Sequence, residues 1–551
     1  MKTTTLPSPI GRLLGLALFV TAAGPLAGAE SPPRDFTSKV PQYKFSRTLE
    51  AQEQELRTNP LLQRMNESRR KLAADPLRPI YHYVNPEGKL NDPNGLCFWQ
   101  GRWHLFYQAY PPEDPRQHWG HTVSDDLINW RDLPLAIYPN PEDMVFSGST
   151  LVDGNRVIAM YHGVAAGTMV ALSSDPLLLN WEKVTGNAVI PLPKPGDPSP
   201  PYTIFDPCIW KQGEYYYALT AGRSPKGPGG KSVRAHFLHR SRDLAKWEYL
   251  HEFIDGYDFS RVGDDGACPY FWPIGDRHIL LHFTHRRGAK WLLGDYDTQR
   301  NKFVVTNGGD FNHGPVSPSG VHAPSATPDG RGGVIALFNM NAGKPTRGWN
   351  QIMTLPQRLT LLDRDELGIE PAGAIESLRQ EHQRVAPLTL PANQEVVLDK
   401  ISGNALELAA EIELKESSTL ELNVLRSPGR EEYTRIVFYG GRGFRRGPPA
   451  GQGSVTRFCI DTSYSSLSPD VRPRAPETAD VFLPANEPLK LRVFVDRSVV
   501  EVFANGRQFA AVRVYPSRSD SVGVSLRSQG TETQVRSLDA WQMKNIYDTS
   551  R

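Results

Sequence analysis

Three short segments of this chain place carboxylates immediately before an apolar run. Asp92 lies in Lys89-Leu90-Asn91-Asp92-Pro93-Asn94-Gly95. Asp206 lies in Ile204-Phe205-Asp206-Pro207-Cys208-Ile209-Trp210, and Asp264 and Asp265 lie in Gly263-Asp264-Asp265-Gly266-Ala267-Cys268-Pro269. Asp and Asn are common turn formers, because their side chains bond the neighbouring backbone. A carboxylate held rigidly at the start of a strand can also attack as a nucleophile, relay a proton or stabilise developing positive charge. Other chemistries have weaker signatures. The histidines, among them His118, His121, His162, His236, His239, His282, His285, His313 and His322, show no HExxH or paired His/Cys spacing, so no metal site and no cofactor is expected. No glycine-rich phosphate loop follows a strand, and no serine nucleophile elbow occurs.

Residues that carry such chemistry must be positioned by strands. Between 81 and 357, runs such as GLCFWQGRWHLFYQAY, RVIAMYHGV and CIWKQGEYYYALTAG alternate with turn residues. Hairpins in series, with no long helices between them, predict an all-β domain. An internal echo adds detail. Ser124-Asp125-Asp126-Leu127 leads to Trp130, Ser173-Ser174-Asp175-Pro176 to Trp181, and Ser241-Arg242-Asp243-Leu244 to Trp247. This period suits the four-stranded blades of a propeller, each echo being a turn in which Asp bonds its own backbone. Residues 30–80 read as a polar lead-in with one or two short helices, and 358–395 as a connector. Residues 396–549 alternate apolar and polar positions as the sheets of a β-sandwich do, with 440–485 expected to be an exposed insertion.

The chain has 551 residues, too many for one ordinary core. Its 62 basic and 60 acidic residues leave a net charge of +2 with no basic stripe, which argues against nucleic acid as a partner. Residues 1–29 have the form of a secretory signal peptide, with Lys2 and Arg12 before an apolar run and Ala27-Gly28-Ala29 as the cleavage site. The expected location is secreted or periplasmic, with no integral membrane partner. The four cysteines form no CxxC pair and are expected to be small buried packing residues.

Over about 81–549 the sequence resembles glycoside hydrolase family 32, the β-fructosidases. The motifs are Asn91–Gly95, Phe146-Ser147-Gly148-Ser149, Asp206-Pro207, Trp349 with Met353-Thr354-Leu355-Pro356, and Phe494-Val495-Asp496-Arg497-Ser498 with Glu501-Val502-Phe503. The resemblance implies a five-bladed β-propeller carrying the active site, followed by a C-terminal β-sandwich. It implies that β-D-fructofuranosidic bonds of sucrose or fructans are hydrolysed with retention, through a fructosyl-enzyme. Asp92 would be the nucleophile and Asp206 the transition-state stabiliser. Asn91, Asn94, Gln108, Trp119, Phe146, Ser147, His313 and His322 are the expected substrate contacts, and the partner is a fructose-containing oligosaccharide or polysaccharide. Two positions depart from the pattern. Phe205 stands where the family has Arg, and Ala267 stands where it has the acid/base Glu. Asp264, slightly favoured, or Asp265 would then supply the acid. The alternatives are a noncatalytic fructan-binding protein and a divergent furanosidase or fructosyltransferase.

Overall fold

The computed structural model describes residues 35–192, 202–225, 230–256, 263–443 and 452–548. The signal-peptide reading, with its cut after Ala29, lies outside them. Phe36–Arg551 forms one compact unit. No helix among the described residues is long and apolar enough to cross a membrane.

Five sheets, each with a four-stranded antiparallel core, follow one another along the chain, and the fourth gains a short parallel strand, Ile254–Asp255. Their innermost strands are Lys89–Trp99, Val145–Asp153, Thr203–Gln212, Ala267–Ile274 and Val321–Pro328. Each inner strand packs against the next, and the fifth packs against the first, so the ring closes. These are the blades of a five-bladed β-propeller. The inner strands are apolar and almost wholly buried, as strands covered on both faces must be. The Asp echoes are repeated blade corners. Asp126, Asp175 and Asp243 each accept bonds from the Ser two residues earlier and from backbone N–H groups just downstream. Leu127, Leu178 and Leu244 then take positive φ. Trp181 and Trp247 donate from Nε1 to the carbonyls of Leu178 and Leu244.

The lead-in folds as two helices, α1 (Leu49–Thr58) and α2 (Pro60–Leu72). Asn59 caps α2 by accepting from Leu62 N at 3.0 Å, and Pro60 needs no donor in the first turn. Leu56 and Leu62 pack on Val123, Leu133, Leu177 and Leu179. Arg69 forks onto Asp132 with two bonds of 2.8 Å. The segment thus braces the first two blades.

Three boundaries differ from the sequence reading. Gln357–Asp363 and Glu366–Pro371 are the two outer strands of blade 5, so the propeller runs past 357 into the expected connector. These strands are half solvated, which weakened their apolar pattern. The sandwich begins at Arg379–Val385, a strand with an almost wholly exposed or half-buried face, rather than at 396. The expected insertion at 440–485 contains two sheet strands, Gly453–Asp461 and Glu477–Pro484. The second alternates burial residue by residue, but the stretch Val471-Arg472-Pro473-Arg474-Ala475-Pro476 just before it masked it.

The two sandwich sheets enclose one apolar core that includes Leu408, Leu422, Ile436, Phe458, Val493 and Val502. A buried polar clip joins the sandwich to the start of the propeller. Asp496 accepts from Ile80 N, Tyr81 N, His82 N and His82 Nδ1, all at 2.9 Å. Glu501 Oε1 lies 3.4 Å from His82 Nε2. Burial opposes the charge on His82, but the two carboxylates outweigh it and raise its pKa to about 9.

Candidate active site

Each of the five inner strands is irregular near its first residues. The register with the second strand slips between Leu90 and Pro93, Val145 and Gly148, Phe205 and Pro207, Ala267 and Tyr270, and Val321 and Pro324. A bulge adds a residue on one side of the ladder and redirects side chains. Pro93, Pro207, Pro269 and Pro324 sit at four of these slips, where a missing N–H is tolerated. Asp92, Ser147, Asp206, Cys268 and His322 fall within the bulges, one from each blade. The propeller therefore gathers on its axis five side chains that are far apart in sequence. Asp206 and Cys268 take φ of 24° and 48°, backbone conformations held by the surrounding packing. Gly95, at φ 51°, must be glycine: a Cβ there would lie 2.6 Å from Thr150 Cγ2.

Asp92 is buried at the centre. Its Oδ2 accepts from Ser147 Oγ at 2.7 Å, Gln108 Nε2 at 3.3 Å and Cys268 Sγ at 3.6 Å. Its Oδ1 faces His322 Nδ1 at 3.3 Å and has no hydrogen-bond partner among the described residues. Burial alone would raise its pKa, but His322, Ser147 and Cys268 together hold it below the ordinary carboxylate value. Asp206 accepts on Oδ2 from Cys268 N at 3.2 Å and Cys268 Sγ at 3.6 Å. Burial, and then the charge of Asp92, push its pKa up to about 7. One thiol therefore bridges two carboxylates whose surroundings shift their pKa values in opposite directions.

The other candidates divide into those at the pocket and those behind it. Asn91 is half buried and bonds Gln108 Oε1, while its Oδ1 accepts from Gln351 Nε2 at 3.1 Å. Gln108 is fixed by Ser147 and Gln117. Phe146 is partly exposed beside His162. Trp119, expected to meet the sugar, is instead fully buried between Phe106 and Tyr161, and its Nε1 holds the Phe146 carbonyl at 2.9 Å. Asn94 is also fully enclosed; it pins the blade 2 bulge by accepting from Gly148 N and makes no pocket surface. Both positions follow strand-facing alternation, which sequence spacing obscured at a bulge. His313 turns away from the carboxylates. It bonds the Phe509 carbonyl and accepts no place on the axis, lining instead a cavity of about 600 Å³ shared with Thr478, Asp480, Arg507 and Gln508. A Gly/Pro loop carries it towards the sandwich, and nothing local in the sequence marks that direction.

Asp264 is held by Arg287 Nη1 at 2.8 Å and Lys290 Nζ at 3.7 Å. Asp265 is held by His285 Nδ1 at 2.7 Å. The sequence offers Cys268 only as a packing cysteine and His285 only as a histidine without metal-ligand spacing, and it gives no sign of Asn339. Cys268 had a signal in its place beside Ala267, whereas His285 and Asn339 become neighbours of the site only through strand pairing. All four cysteines are free and buried. No cluster of three or more His, Cys, Asp or Glu among the described residues could hold a metal ion.

The two departures from the family pattern meet in space. Ala267, Cys268, Phe283 and Ala323 form one small buried apolar cluster, and Phe205 packs against it. Arg234, from the third strand of blade 3, lies 5.5 Å over the Phe205 ring.

A closed five-bladed propeller with an ionised and a protonatable carboxylate on its axis, backed by a β-sandwich, defines a glycoside hydrolase. The chain belongs to glycosyl hydrolases family 32: residues 82–371 match the family's N-terminal domain and 374–542 its C-terminal domain. It is similar to the levanase of Bacillus subtilis (strain 168), 28% identical over 523 residues covering 86% of this chain and 71% of the relative. It is 27% identical to the fructan 6-exohydrolase of Beta vulgaris (85% and 87% covered) and 28% identical to the sucrose-6-phosphate hydrolase of Escherichia coli (83% and 94%). The crystal structure of fructan 1-exohydrolase IIa from Cichorium intybus shares the fold with a TM-score of 0.73 at 22% identity, over 86% of this chain and 98% of that one.

Proposed function

We propose that this enzyme releases fructose from β-D-fructofuranosides, sucrose or fructans, with retention of configuration and outside the cytoplasm. Asp92 attacks the anomeric carbon through Oδ1, the oxygen left without a hydrogen bond. Asp206, with a pKa raised to about 7, holds ring hydroxyls and in its ionised form balances the positive charge that develops on the furanose. Ser147, Gln108, Asn91 and His322 orient the nucleophile and the sugar. The reading rests on one observation above all, two buried carboxylates from different blades, Asp92 and Asp206, each 3.6 Å from the Cys268 thiol on the propeller axis.

The test is fructose release from sucrose, levan and inulin by the full-length secreted protein, with the anomer of the first product followed by NMR. Release of β-fructofuranose first supports the reading; α-fructofuranose overturns retention. The alanine at 267 favours a second reading, a fructan-binding protein without turnover. Saturable binding of levan or inulin with no fructose released would establish that reading instead. N-terminal sequencing of the exported protein should begin at Glu30.

A further inference from the structure

We propose that a His285–Asp265 pair takes the place of the missing glutamate, with His285 as the general acid/base. The proposal rests on the fructosidase reading above. In blade 4 the inner strand pairs Ala267 with Phe283. Two residues beyond that pair, just outside the ends of the two strands, stand Asp265 and His285. They are joined twice: His285 Nδ1 lies 2.7 Å from Asp265 Oδ2, and His285 N donates to the same oxygen at 3.4 Å. His285 begins the short loop closed by the Thr284–Gly288 pair, and its side chain is 66% exposed, while Asp265 is buried. A carboxylate on Nδ1 fixes the ring and leaves Nε2 as the exchanging site, the arrangement that suits imidazole to acid/base work.

The ring chain from this loop leads to the nucleophile. Phe283 lies 4.7 Å from His285 and 4.3 Å from His322, and His322 meets Asp92 at 3.3 Å. The centroids of the two imidazoles are 6.4 Å apart. The charged or titratable groups facing this region are Asp265 and Arg234 from blades 4 and 3, Asp206 from blade 3, and Asp92 and His322 across the axis. Asp265 raises the His285 pKa, with burial opposing it and with Asp206 and Asp92 adding to the rise. Asp264 is instead tied to Arg287 Nη1 at 2.8 Å and Lys290 Nζ at 3.7 Å.

In the first step Asp92 Oδ1 forms a bond to the anomeric carbon as the bond to the leaving oxygen breaks. The proton on His285 Nε2 passes to that oxygen. In the second step neutral Nε2 takes a proton from water as the water oxygen bonds to the same carbon. The ester bond to Asp92 breaks, restoring the carboxylate and the imidazolium. Asp265 touches no reacting atom and is a positioning residue.

The test compares sucrose or levan with an aryl fructoside, whose phenolate leaves with little protonation. His285→Ala should lower kcat/KM on the natural substrate by about 100-fold or more, the usual range for a lost general acid. The aryl substrate should lose far less in bond cleavage, and added imidazole should restore part of the natural reaction. Asp265→Asn preserves shape and should move the alkaline limb of the pH profile to lower pH, because His285 loses the partner that raises it. Equal losses on both substrates with an unmoved alkaline limb would overturn the pair. So would loss of the natural reaction in Asp264→Asn with His285→Ala unaffected. If the unsubstituted protein releases fructose from nothing, the fructosidase reading falls and this one with it; if it turns over and only the substrate ratio fails to change, this one falls alone.

Discussion

Asp92 on the propeller axis and Asp496 at the seam with the sandwich are both buried aspartates facing a histidine, yet they are built for different work. Asp496 accepts three backbone N–H groups and an imidazole, at 2.9 Å each, so both of its oxygens are used. Asp92 receives no backbone donor, crowds three side-chain donors onto Oδ2 and leaves Oδ1 without a bond. Beside it a second carboxylate, Asp206, is forced towards neutrality, whereas the second carboxylate at the seam, Glu501, shares a histidine raised to about 9. A carboxylate satisfied by rigid backbone donors holds domains together. One left partly unsatisfied beside a repelling neighbour stores the imbalance that a reaction can use.

Aspartate-to-asparagine changes should break this comparison most visibly. Asp92→Asn removes the nucleophile while keeping its shape, and kcat should fall by roughly 10⁴-fold or more with the urea midpoint nearly unchanged. Asp496→Asn should do the reverse. Removing one partner of a buried pair costs about 3–5 kcal/mol, read as a lower urea midpoint, while kcat per folded molecule stays close to normal. A large loss of kcat in the folded Asp496 variant would show that the seam also shapes the axis.

Asp206→Asn should sharpen the contrast, because the same substitution should stabilise. A folded pKa of about 7 against an ordinary value of 3.8 means that the unfolded chain gives up this proton first. Stability is therefore lost as pH rises from about 4 through about 7, by up to a few kcal/mol. The asparagine variant should be inactive and, above pH 7, melt higher than the parent. A lower melting temperature at pH 8 would contradict the site's imbalance.

The seam should show its own pH signature. The His82 pKa is raised from 6.5 to about 9, so its contribution is fully present below about pH 6.5 and is lost as pH rises through about 9. That contribution is about 3 kcal/mol and should shrink in thermal melts between pH 6 and 10 in the Asp496→Asn protein, where Glu501 alone still faces His82. Smallest of all, Asp92→Asn should lower the Asp206 pKa, less than exposure to water would, since the neighbouring charge raises it only after burial does. Carbon-13 titration of the aspartate carboxyls would measure this.

Sequence alone determined the strand character of the chain, the repeating Asp corners and the local segments that carry Asp92 and Asp206. These follow from alternation, turn chemistry and short motifs, all of which act over a few residues. The extent of blade 5 and the strands within 440–485 escaped it, because outer and edge strands are half solvated and their pattern is diluted. Only the tertiary structure decided which side of the bulges faces the pocket. It enclosed Trp119 and Asn94, turned His313 to the sandwich, and set Cys268 between two carboxylates from other blades. It also brought Phe205 to Ala267 and His285 to Asp265. A bulge reverses side-chain facing with a single residue, and a closed ring joins residues more than a hundred positions apart, so neither can be read from periodicity along one strand.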